Sequence, residues 1–119
     1  MLKIDKHTRT VGDLTQVAVL WSPGYGSGWA SCAMDNIADF LAFDSGLVRL
    51  ALEGADIKAV ESYLEGVFSS YDDMIPVPYL GGWSNIEVEW IEEGVQFRIN
   101  EYDGSESIEI YDPLNYFTA

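Results

Sequence analysis

Polar and charged positions dominate the start of the chain until Val17-Ala18-Val19-Leu20-Trp21, where five apolar residues follow one another without a break. Alternation would bury one face of a strand; an unbroken run predicts a central strand buried on both. Residues 15–21 are therefore expected to form that strand, with residues 2–10 as its partner across a turn at Gly12-Asp13. The run ends in Ser22-Pro23-Gly24-Tyr25-Gly26-Ser27-Gly28-Trp29, a loop by composition.

The period then changes. Met34, Ile37, Ala38, Leu41 and Ala42 recur at helical spacing, and Phe40 and Phe43 widen the apolar stripe. Asp44 is placed to cap a second helix through Leu47, Leu50, Ala51 and Leu52, which Gly54 stops. Asp56 can cap a third, with Ile57, Val60, Leu64 and Val67 on its buried side. Residues 69–78 hold two acids and two prolines and are expected to be an irregular connection.

Strict alternation returns near the end. Ile86, Val88 and Trp90 alternate with Glu87 and Glu89; Val95, Phe97 and Ile99 alternate with Gln96, Arg98 and Asn100; Ile108 and Ile110 flank Glu109. Glu93-Gly94 and Asp103-Gly104 supply the turns, so three antiparallel strands are predicted. The whole reads as one α+β domain over residues 1–119. Its expected architecture is an antiparallel sheet of about five strands, in the chain order ββαααβββ, with helices packed on one face.

Charge sharpens this picture. There are 20 Asp and Glu against 6 Lys and Arg, a net charge of −14, and Lys3, Lys6 and Arg9 all lie in the first ten residues. From Val11 onward 19 acids face only Arg49, Lys58 and Arg98. Such a field repels nucleic acid and anionic membrane and attracts basic surfaces. With 48% hydrophobic residues the chain is too apolar for a disordered acidic tail, so the acids must decorate a folded body. The alternation places Glu87, Glu89, Arg98, Asn100, Ser107 and Glu109 on one outer face. Glu92, Glu93, Glu101, Asp103, Glu106 and Asp112 then fall at its edges and turns. Glu87, Glu89, Glu92, Glu93, Glu101, Asp103, Glu106 and Glu109 are the expected partner-binding surface. A purely solubilising face is the competing reading.

Other chemistry is sparse. Gly24, Tyr25, Gly26, Gly28 and Trp29 form a glycine-rich loop between strand and helix, where backbone amides could approach an anion. It lacks the Lys-Ser/Thr ending of a P-loop and the dinucleotide spacing. A tight turn is the plainer reading, and Tyr25 and Trp29 are candidate anchors for a partner at the sheet end. His7, the single histidine, is expected on the surface, and Cys32 inside. Trp90 should join the core, while Trp83 after Gly81-Gly82 could face either way. No carboxylate pair has EF-hand spacing, and no serine sits in a nucleophile elbow. No catalytic residue, cofactor or metal site is expected. One cysteine, no signal peptide and no apolar run of roughly 18 residues predict a cytoplasmic protein that does not cross a membrane.

The GYGxGW loop at residues 24–29, paired with the late GxxFxIxEYDGxESI stretch from Gly94 to Ile108, resembles small acidic proteins encoded by bacteriophages and prophages. The resemblance spans most of the chain and carries over no catalytic residue. It implies a bacterial host cell as the setting. It also implies a non-enzymatic role in which carboxylates occupy a basic host or phage protein, as a nucleic-acid mimic or an anti-CRISPR-like inhibitor of host defence would. Two alternatives stand beside it: a small-ligand, nucleotide-type binding protein that uses the 24–29 loop, and a structural phage protein that forms a homo-oligomer.

Overall fold

A computed structural model describes residues 3–24, 28–32, 35–68, 80–102 and 105–111. Among these residues five strands and three helices follow one another in the expected order: β1 (Thr8–Val11), β2 (Leu14–Trp21), α1 (Asp35–Phe43), α2 (Ser45–Leu52), α3 (Ile57–Phe68), β3 (Glu87–Glu92), β4 (Phe97–Tyr102) and β5 (Ser105–Ile110). Short 3-10 turns at Ala30–Cys32 and Gly81–Asn85 precede α1 and β3. The fold is α+β, but the strands divide between two sheets, a three-stranded β1-β2-β3 and a two-stranded β4-β5.

β2 is the central strand that its apolar run predicts. Ala18, Val19 and Leu20 have no exposed surface, so both faces are covered. In register, Ala18 and Leu20 lie opposite Trp90 and Val88, while Val17 lies opposite Ile91 on the other face. Over that second face Phe43, at the end of α1, meets Phe97, at the start of β4, with ring centroids 6.0 Å apart. β1 is shorter than expected: the His7 carbonyl still accepts from Ala18 N–H, but residues 5 and 6 leave the sheet, Lys6 bridging to Asp44 and the Ser45 amide bonding to the Asp5 carbonyl.

The split into two sheets begins at the Glu93-Gly94 turn. Glu93 N–H still bonds to the Thr15 carbonyl, Val95 N–H closes on Glu92, and Gly94 takes a left-handed φ of 89°. The chain then swings away from β3, and Phe97 and Ile99 line a cleft against Ala38 and Ala42 of α1. One flat meander would have left those side chains beside Val88 and Trp90. Folding the hairpin over gives them helical partners instead.

Asp44 fixes the corner between α1 and α2. Buried at 6% exposure, it caps α2 by accepting from Leu47 N–H at 3.1 Å, and it accepts the Tyr63 hydroxyl of α3 at 2.6 Å. Burial, then the hydrogen bond to Asp44, raise the Tyr63 phenol well above its ordinary value. The folded state thus holds Tyr63 neutral where the unfolded chain would ionise it. Its contribution is complete below the unfolded value near pH ~10 and is lost as pH rises toward the folded one. Tyr63→Phe should therefore flatten the fall in stability above about pH 10, measured by denaturant titration at several alkaline pH values. An unchanged slope would remove Tyr63 from the alkaline transition.

Candidate functional site

The glycine-rich loop departs from β2 at Ser22, which is fully buried. Its hydroxyl donates to the Gly82 carbonyl at 2.8 Å, tying the loop to the 3-10 turn before β3. Trp29 follows at 1% exposure: its indole N–H donates to the Leu41 carbonyl at 2.7 Å, and its ring packs on Trp83 with centroids 5.6 Å apart. Trp29 is therefore core and not an exposed anchor, because its indole finds a partner on α1. Trp83 is buried too, its indole donating to the Ala55 carbonyl. Tyr25 and Gly26 lie outside the described residues, as do Asp103, Asp112, residues 69–78 and the Cys32 side chain.

At the centre of this corner is Glu106, 2% exposed. One carboxylate oxygen accepts Ser22 N–H at 2.9 Å; the other accepts Trp29 N–H at 2.8 Å, Ser31 N–H at 2.9 Å and the Ser31 hydroxyl. The Glu106 N–H in turn donates to the Ser22 carbonyl at 2.9 Å, and Ser105 Oγ donates to the Pro23 carbonyl. The expectation that Glu106 belongs to the outer acidic surface is thus corrected. The loop does cradle an anion, as glycine-rich loops can, but the anion is the chain's own side chain. A buried carboxylate persists because charge-assisted bonds satisfy it.

The remaining acids fall into two groups instead of one face. Glu87, Glu89, Glu92 and Glu93 are exposed along β3 and its turn, with Glu87 and Glu89 on one side and Glu92 on the other. Glu101 is exposed on β4, directly opposite Glu106. Glu109 is half-buried and accepts from Arg98 Nη2 at 2.9 Å and Asn100 Nδ2 at 2.7 Å. The hairpin acids and the β3 acids therefore sit on different sheets, which corrects the single shared outer face. Three of the six bases are also placed: Lys6 Nζ lies 4.8 Å from the Phe43 ring, the Arg9 guanidinium 4.1 Å from Trp90, and Arg98 pairs with Glu109.

His7 is not a free surface residue. Half-buried, it lies 3.1 Å from Ser45 Oγ through Nδ1 and packs 5.8 Å from Trp90. A cleft of about 330 Å³ runs between α1 and β4, floored by Ala38, Ala42, Phe97 and Ile99, with Asp39 and Arg98 at its rim. Among the described residues no three His, Cys, Asp or Glu side chains are grouped to hold a metal ion, and no helix is long and apolar enough to cross a membrane. No family model, curated protein or solved structure matches the chain.

Proposed function

We propose that this is a non-enzymatic, phage-type acidic protein that binds a basic host or phage protein, in the manner of a nucleic-acid mimic that blocks a defence or nucleic-acid-processing factor. The observation that carries the reading is the β3 strip. Glu87, Glu89, Glu92 and Glu93 are all exposed within seven residues and make no ion pair among the described residues. Along a strand, Glu87 and Glu89 project from one side about 7 Å apart. β3 is held in six-residue register to β2, whose residues 18–20 are buried, so these charges sit on a fixed support. Fixed carboxylates accelerate encounter with a Lys/Arg-rich groove and set its register.

The test is charge reversal with a matched control. A basic protein retained from bacterial lysate at low salt supplies the partner. Glu87→Lys with Glu89→Lys should weaken its binding by about tenfold or more and flatten the salt dependence. Glu61→Lys with Glu65→Lys, equally exposed on α3, changes the net charge by the same amount and should cost far less. Equal losses in the two double variants would mean that total charge, not the β3 strip, governs binding.

A further inference from the structure

We infer that the partner docks on the free edge of β3 by adding an antiparallel strand with Lys or Arg at alternate positions opposite Glu87 and Glu89. This rests on the basic-partner reading and names the kind of segment the strip takes. In the order β1-β2-β3, only one edge of β3 is paired among the described residues. Glu93 N–H bonds to the Thr15 carbonyl, which fixes the alternation: Glu87, Glu89 and Ile91 turn their backbone groups to β2, and Val88 and Trp90 turn theirs outward. Both ends of the outer edge are closed, the Ile86 N–H by the Trp83 carbonyl and the Glu92 carbonyl by Val95 N–H. Between them, the N–H and C=O groups of Val88 and Trp90 have no partner among the described residues.

Natural sheets commonly blunt such an edge with lysine, proline or a bulge. β3 has no lysine and no proline, and its register to β2 runs without a break. Its guard is acidic instead. Glu87 and Glu89 would stand directly opposite residues of the incoming strand, where like charges repel and opposite charges attract. The edge is thereby closed to a second β3 and open to a basic strand. Residues opposite Val88 and Trp90 exchange the backbone bonds and lay their side chains on the other face, beside two half-buried apolar ones, so apolar residues fit there. The segment thus alternates basic with apolar. β1, the far edge of the sheet, carries Arg9 with Lys6 just before it and repels the same segment.

The probe is the peptide acetyl-Lys-Val-Lys-Val-Lys-Val-Lys-amide, added to the full chain. At saturation the amide hydrogens of Val88 and Trp90 should exchange at least about fivefold more slowly than in the free protein, while Glu89 N–H, which faces β2, changes little. N-methylation of the valines removes the N–H groups that would meet Val88 and Trp90 and should weaken binding about tenfold. N-methylation of the lysines, whose N–H groups face away, should leave it intact. Full affinity in the N-methylvaline peptide, or unchanged exchange at Val88 and Trp90, overturns strand addition and leaves the acidic strip as a surface read by side chains alone. A peptide that fails to bind a protein still able to capture its basic partner overturns it equally. Binding that survives Glu87→Lys with Glu89→Lys strikes down the basic-partner reading itself, and the alternating segment with it.

Discussion

Replacing Glu106 with glutamine is expected to lower the unfolding free energy by about 3–4 kcal/mol, although size and shape barely change. The carboxylate accepts three backbone N–H groups and a hydroxyl, and Glu106 itself is 2% exposed. Glutamine keeps one acceptor and turns an NH2 toward groups that are themselves donors. The unmet amides then carry their desolvation cost, and bonds to a charged acceptor are the strong class being lost. For a domain of this length the change corresponds to a fall in Tm of about 12 °C. Glu87→Gln supplies the contrast, since its carboxylate is exposed and its replacement should stay within about 0.5 kcal/mol. A Glu106→Gln loss below about 1 kcal/mol would mean that the corner is not sealed from solvent.

Gly82→Ala is the second large effect, at about 3 kcal/mol. A β-carbon on Gly82 would run into the backbone carbonyl of Gly28, and beyond it the Ser22 side chain. Backbone cannot step aside as a flexible side chain can. The 3-10 turn would have to lift off the loop, stretching the bond from Ser22 Oγ to the Gly82 carbonyl and parting Trp29 from Trp83. The same chemical change at Gly66, in α3 with open space around it, should be neutral or stabilising by up to about 1 kcal/mol, because alanine suits a helix better. Urea titrations should show a lowered midpoint for Gly82→Ala and an unchanged or raised one for Gly66→Ala. Equal midpoints for Gly82→Ala and wild type would sink it.

Local features were legible from the chain because local chemistry decides them. Asp44 and Asp56 cap their helices, accepting from Leu47 and Ala59 N–H. Gly54 ends α2 with a left-handed φ of 71°, and the buried β2 run declares itself by composition. The division into two sheets was not legible, because alternation looks the same whether β4 pairs with β3 or folds across it. The burial of Trp29 was not legible for a related reason: its indole partner, Leu41, belongs to a different element, and nothing beside it in sequence announces that bond. Glu106 did leave a trace. It shares strand parity with Ile108 and Ile110, so the alternation already put an acid on the apolar side of β5. The many acids around it make that exception look like one more surface charge.

The resting places of Lys6, Arg9 and Arg98 have a consequence for how copies of this chain meet one another. Each is held by a ring or carboxylate of its own chain, and with all six bases counted the net charge another copy meets is still −14. Two copies, each at −14, repel across distances that grow to about 30 Å at 0.01 M salt. Self-association would then strengthen as salt is added, while capture of a basic protein would weaken. The two processes carry opposite ionic-strength signatures, and one salt series followed by sedimentation tells assembly from capture.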